Sequence, residues 1–239
     1  MNDDLAIAVS GLRKAFAGRS VLDQVDLDVR PGEAVALLGA NGAGKTTLLR
    51  ILATLTRPTR GQARVAGFDC ARQAEQVRAH LGFVAHGTWL YEDLTALENL
   101  RFWTVLAGGA DDAGARRSAL AAVELERVAD ARVRTFSAGM KRRLALARVA
   151  LAGPRVLLLD EPFAGLDQGG AKWLQAHLTG FKAAGGAVLM TTHSFGRSLG
   201  IVDRIAILAQ GRIALDTPVG TLGADDVRRL YEAHAEDGA

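Results

Sequence analysis

The run Gly39-Ala-Asn-Gly-Ala-Gly44-Lys45-Thr46-Thr47 constrains this chain more than any other feature. It satisfies G-x-x-x-x-G-K-[ST] and lies between an apolar run, Ala34-Val-Ala-Leu-Leu38, and a helix-like stretch over residues 46–55. Unbroken apolarity at 34–38 predicts a strand buried on both faces. Glycines let a loop wrap closely around an anion, because they lack Cβ and tolerate positive φ. A helix starting where the loop ends offers that anion free N–H groups and the positive end of its dipole. In such a setting Lys45 reaches the β- and γ-phosphates of a nucleoside triphosphate, and the Thr46 hydroxyl binds Mg2+. The candidate nucleotide-binding residues are therefore Gly39, Ala40, Asn41, Gly42, Ala43, Gly44, Lys45, Thr46 and Thr47. On its own the motif specifies only nucleotide binding, since kinases, GTPases and helicases share it.

A second buried-strand run, Val156-Leu-Leu-Leu159, ends in Asp160-Glu161-Pro162. An acid at this kind of strand end stands beside the Mg2+ of a phosphate-loop enzyme, which makes Asp160 the candidate metal partner. Glu161 is the candidate catalytic carboxylate that polarises the attacking water. Phosphoryl transfer depends mostly on positioning and charge stabilisation, so a water-orienting acid near the γ-phosphate suffices.

Organisation along the chain follows the periodicity. Residues 7–9 and 21–29 alternate at period two and predict antiparallel strands. Thr95-Ala-Leu-Glu98 predicts a capping box that opens a helix, and Ser137 opens another that runs through Arg142 and Leu146 to Val149. Gly108-Gly109 and Gly114 are expected to break the segment between them. Strands are expected at 156–159, 187–191 and 205–208, with helices at 168–184 and 225–234. The expected division is one domain over 1–239. Residues 1–86 and 152–220 form a nucleotide-binding core with a β subdomain, 87–151 a helical insert, and 221–239 a C-terminal helix.

With 49% hydrophobic and 23% charged residues over 239, the chain can bury a substantial core. Its net charge of +3 demands neither nucleic acid nor anionic lipid. One thiol, Cys70, cannot close an internal disulfide. The acidic start Met1-Asn-Asp-Asp-Leu5 shows no signal core, and no apolar run approaches the roughly 20 residues that span a bilayer. A cytoplasmic location is expected, with no direct bilayer insertion.

Shortly before the Asp160 strand stands Phe136-Ser137-Ala138-Gly139-Met140-Lys141-Arg142-Arg143. Here the chain resembles the ABC ATPase family, whose signature is L-S-G-G-Q followed by a basic helical stretch. Ser137 and Gly139 match, while Ala138 replaces a glycine and Met140 the glutamine. The resemblance implies a P-loop NTPase of α/β class. It would have a RecA-like core, an N-terminal antiparallel β subdomain and an inserted α-helical subdomain. It further implies a head-to-tail dimer, of two copies or with a similar ABC ATPase subunit, that sandwiches ATP and Mg2+ and powers a separate integral membrane permease from the inner face of the membrane. Ser137 and Gly139 would then close on the γ-phosphate held by the other copy, as a Ser-capped helix N-terminus can. By position, Phe16 resembles the aromatic that stacks on adenine. Ala164-Gly165-Leu166-Asp167 resembles the loop that crosses the dimer interface. His193 resembles the switch histidine on the γ-phosphate and joins Glu161 and Lys45 as a catalytic candidate.

The chain departs from the family pattern at one place. Most members carry a glutamine that contacts Mg2+ after the strand preceding the helical insert; this chain reads Val84-Ala-His86-Gly87-Thr88-Trp89. A neutral imidazole can accept a hydrogen bond or ligate a metal, so His86 is a candidate stand-in. Otherwise the contact is lost and the ion keeps a water. Residues 86–103, with Ser137-Ala-Gly-Met140, Glu161-Pro-Phe-Ala-Gly-Leu-Asp167 and Thr191-Thr-His193, are similar to the haem-exporter subunits of cytochrome c biogenesis. Drug, ion and polysaccharide exporters carry similar subunits and stay open as alternatives. A soluble ABC ATPase acting on nucleic acid would carry a tandem cassette or a long insertion, which this chain lacks, so no nucleic-acid partner is expected. A small-molecule P-loop kinase is disfavoured by Glu161, Ser137 and His193 together.

Overall fold

Strands β3 (Ala34–Leu38), β7 (Val156–Asp160) and β8 (Ala187–Thr191) are buried at every position. Their alternate side chains feed two different cores. Val35, Leu37, Val156, Leu158, Ala187 and Leu189 point into one, and Ala36, Leu38, Leu157, Leu159, Val188 and Met190 into the other. A strand covered on both faces has no polar side to show, which is why these runs read as continuous apolar sequence. The computed structural model describes residues 4–85, 87, 89–192 and 198–235.

These strands belong to a six-stranded sheet in the order β10-β9-β3-β8-β7-β6, with β9 at Arg204–Ala209, β10 at Arg212–Pro218 and β6 at Leu81–Val84. All its neighbours pair in parallel except β10, which returns antiparallel on β9. A second sheet, ordered β2-β1-β4-β5, is antiparallel. It uses β1 (Ile7–Phe16), β2 (Arg19–Val29), β4 (Arg60–Val65) and β5 (Phe68–Asp69). Helix α1 (Lys45–Leu52) lies between the two sheets, its Leu48, Leu49, Ile51 and Leu52 sharing a core with Ile7, Val9, Leu22 and Val25. It is shorter than the stretch expected to Leu55. Helix α2 (Ala74–His80) leads into β6.

Between β6 and β7 the chain is helical: α3 (Ala96–Leu106), α4 (Ala113–Ala122), two short 3-10 turns and α5 (Ala138–Ala150). This segment has its own core of Leu100, Leu120, Val123, Val133, Phe136 and Leu144. The capping box is present as expected: Glu98 N donates to Thr95 Oγ1 at 3.1 Å, and Thr95 N donates to Glu98 Oε2 at 2.7 Å. Gly114 does not break the chain. It occupies the first turn of α4 and donates its N–H to the capping carboxylate of Asp112 at 2.8 Å. Gly82 lets α5 lie against β6, since a Cβ there would stand 2.2 Å from Val149 Cγ1 and 2.7 Å from Leu157 Cδ2. Helices α6 (Gln168–Ala183) and α7 (Ala224–Ala235) close the second face, where Leu174, Leu178 and Val227 are buried.

A phosphate cleft and a separate capped helix

Strand order brings the site together. In the central sheet β8 lies between β3 and β7, with Leu37 and Asp160 both in register with Thr191. The loop after β3 therefore emerges beside the acids that end β7. Gly44 caps α1 at φ 109°, and a Cβ on it would meet Leu22 Cδ2 at 2.7 Å and Val21 O at 3.0 Å. Only glycine meets both demands, and Gly44 thereby seats the start of α1 against β2.

Lys45 is 8% exposed. Its ammonium donates to Gly39 O at 2.7 Å and Ala40 O at 3.0 Å, so the lysine ties up its own loop. Burial pulls its pKa below the ordinary lysine value, while the carboxylates of Glu161 and Asp160 pull the other way. Thr46 Oγ1 donates to Asp160 Oδ2 at 3.4 Å, and Thr191 Oγ1 donates to Asp160 Oδ1 at 2.6 Å. The same Thr191 oxygen accepts the Glu161 N–H at 3.0 Å. Glu161 itself adopts φ 50°, a left-handed conformation that a non-glycine residue holds at a cost of order 1–3 kcal/mol.

Lys45, Thr46, Asp160 and Glu161 line one cleft of about 860 Å³. Ala40, Asn41, Gly42, Gly44, Lys45, Thr46 and Thr47 line it together with Asp160 and Glu161, and so do Phe83, Gly87 and Trp89. That size suits a small-molecule ligand. A somewhat larger cavity of about 960 Å³, lined by Leu146, Val149, Pro154, His177 and Phe181 among others, has neither the lysine-bearing loop nor the acid pair. A hydroxyl beside a buried carboxylate is a hard-oxygen donor set, the chemistry that Mg2+ requires. Among the described residues no group of three or more His, Cys, Asp or Glu could hold a metal, so a cation here would draw further ligands from the nucleotide and water.

Ser137, Gly139 and Phe16 do not line this cleft. Ser137 caps α5 by accepting the Met140 N–H at 3.2 Å, and it is exposed. Gly139 packs beside Leu166, and Gly165 beside Ala138, so the 164–167 turn lies against the start of α5. Asp167 caps α6 through Gly170 N at 2.7 Å. Phe16 is 48% exposed at the end of β1, with the Lys14 ammonium 4.5 Å from its ring centroid. His193 and His86 lie outside the described residues.

Two residues of the site went unread in the sequence. Thr191 joins the two acids only because β8 neighbours β7, an adjacency that no local pattern encodes. Arg142 is 6% exposed, and its guanidinium donates to Asp160 O at 2.9 Å and Glu161 O at 2.8 Å. Its signal was available, because Arg142, Ala145, Leu146 and Val149 fall on one helical stripe, which places a charge where an apolar residue belongs.

The sequence matches the ABC transporter family over residues 22–164. The daunorubicin resistance ATP-binding protein DrrA3 of Streptomyces coeruleorubidus is 39% identical, over 93% of this chain and 71% of its own length. The cytochrome c biogenesis ATP-binding export protein CcmA of Cupriavidus necator is 42% identical, over 79% of this chain and 83% of its own. Among solved structures, an ATP-binding subunit of an ABC transporter superposes with a TM-score of 0.82 at 31% identity, covering 96% of this chain and 94% of that one. A dimeric ATP-binding cassette in a post-hydrolysis state, bound to ADP and phosphate, gives 0.79 at 26% identity, over 89% and 98%. The matched stretch runs from β2 through the lysine-bearing loop to the turn beyond the two acids, and this chain belongs to the ABC transporter family as an ATP-binding, ATP-hydrolysing subunit.

Proposed function

We propose that this subunit hydrolyses ATP at sites shared between two copies and drives a separate membrane permease that exports haem for cytochrome c biogenesis. One observation carries the shared-site reading: the lysine, hydroxyl and acids converge in one cleft, while the Ser137-capped start of α5 faces solvent outside it. A second copy, turned head to tail, would bring Ser137 and Gly139 to the phosphates that Lys45 holds. In this reading Lys45 leaves the carbonyls of Gly39 and Ala40 for the β- and γ-phosphates, and Glu161 orients the attacking water. Phe16 stacks on adenine with the ring face that Lys14 leaves open. Thr46 and Asp160 would hold Mg2+, which neutralises phosphate charge when bound. His193 would contact the γ-phosphate, and His86 would stand in for the family's glutamine.

No described helix is long and apolar enough to cross a membrane, which agrees with a separate permease. Exposed Trp89, at the cleft, and exposed Tyr91 and Phe102, whose rings pack together, offer that partner apolar surface. Similarity to CcmA supports the haem assignment. The similarity to DrrA3 favours a second reading, export of a drug-like molecule by the same machinery.

Glu161→Gln tests both levels, as bait. It should bind ATP, turn over slowly, and capture a polytopic membrane protein in mild detergent whose absorbance shows haem. A captured permease without haem overturns the cargo assignment. Rapid turnover by the variant overturns the assignment of Glu161.

A further inference from the structure

Helix α5 holds the segment between β6 and α3 at two points, Ala85 and Trp89. From Arg142, Nη1 donates to Ala85 O at 2.8 Å, at the end of β6. Six residues later, Arg148 Nη1 donates to Trp89 O at 3.3 Å, with its guanidinium 4.7 Å from the Trp103 ring centroid. Trp89 in turn packs edge-on against Phe83 at 5.9 Å, and both rings line the nucleotide cleft. On its other side, Arg142 reaches three consecutive carbonyls: Asp160 O and Glu161 O through Nη2, and Pro162 O through Nε at 3.4 Å.

That pattern is unusual in its economy. A buried guanidinium is tolerated when its N–H groups are satisfied and opposite charge is near. Here the partners are the main-chain carbonyls of Ala85, Asp160, Glu161 and Pro162, and the two acids that supply the opposite charge are those of the site. Three successive carbonyls can converge on one cation only if the chain turns sharply, and Glu161 sits at φ 50° within that turn. The rigid, planar fork of arginine presents donors on two sides and reaches both the turn and Ala85, whereas a lysine ammonium concentrates its donors at one point.

We propose that Arg142 is a positioning residue for hydrolysis: it fixes the backbone turn that aims Glu161 and locks that turn, through Ala85, to the loop at the mouth of the cleft. Because Arg142 rides on the helix that Ser137 caps, any displacement of that helix by a partner's nucleotide is passed to Glu161 through three hydrogen bonds from the guanidinium to main-chain carbonyls. This rests on the assignment of Glu161 made above. Arg142 does not line the nucleotide cleft, and its effect is on geometry.

The test is steady-state ATPase kinetics of the whole subunit with Arg142→Lys and Arg142→Gln, beside Glu161→Gln and the parent. Equilibrium ATP binding and thermal unfolding are measured on the same samples. Loss of aim lowers kcat at least about tenfold in both variants while ATP affinity stays within about threefold of the parent. Parental kcat in a folded Arg142→Lys protein overturns the proposal. So does a loss of kcat that merely tracks a loss of folded protein or of ATP binding, including failure of both variants to fold. If the parent hydrolyses ATP and Glu161→Gln does so equally well, it is the earlier assignment of Glu161 that fails.

Discussion

At the residue scale the site depends on polar groups whose chemistry is visible in sequence and whose partners are not. Lys45, Thr46, Asp160 and Glu161 could be picked out because their types follow a glycine loop or end an apolar strand. Thr191 could not, because its role arises from the order of strands. Its hydroxyl both donates to Asp160 Oδ1 and accepts the Glu161 N–H, with no exposure to solvent. Thr191→Val keeps the shape and removes the hydroxyl. The buried Asp160 Oδ1 then loses its donor and the part-buried Glu161 N–H loses this acceptor, a loss that costs about 1–3 kcal/mol. Urea unfolding should show that destabilisation, and kcat should fall because both acids lose a common anchor. Unchanged stability and kcat would mean that water replaces the hydroxyl and that Thr191 anchors neither acid.

Individual elements were legible wherever one physical demand dominated. Residues 34–38 and 187–191 were read to the residue, since burial on both faces calls for a nearly unbroken apolar run, and the one hydroxyl in these strands, on Thr191, is satisfied by Asp160 and the Glu161 N–H. Ser137 and Thr95 announced their helices because a side-chain oxygen must accept a free N–H at each start. Strands β4 and β10 escaped notice, as Arg60-Gly-Gln at the start of β4 is exposed and β10 alternates between half-buried and exposed. Gly114 misled because a glycine early in a capped helix reads like a break. Gly82 is a different kind of glycine, defined by how closely α5 approaches β6. Gly82→Ala should destabilise the fold by about 1–3 kcal/mol through overpacking. Val149→Ala removes the nearest clashing atom, and in denaturant unfolding the double mutant should lose less than the two single mutants summed. Strict additivity would show that the helix–strand contact yields elsewhere, and that the two positions are not coupled.

Across the whole molecule, the division of labour between the cleft and the capped helix determines what a single copy can do. One copy has the lysine-bearing cleft and an exposed helix N-terminus that lies outside it. If two copies exchange these halves, each site takes its lysine from one copy and its serine from the other. Lys45→Ala and Ser137→Arg are then lesions in different halves, and the pairing of copies decides whether they coincide. In a mixed dimer, one site combines the altered loop with the altered helix, and the other combines an intact loop with an intact helix. On a Glu161→Gln background, which slows loss of ATP, each variant alone should remain monomeric by sedimentation in the presence of ATP. Lys45→Ala cannot hold the phosphates, and Ser137→Arg puts bulk where they must dock. An equimolar mixture should recover a dimer population, since one intact site per pair remains to bind a single ATP. Had both halves of a site come from the same copy, every site in the mixture would carry one lesion and no dimer would return. A mixture as monomeric as its parts, beside a Glu161→Gln control that dimerises, would therefore place the whole site within one chain.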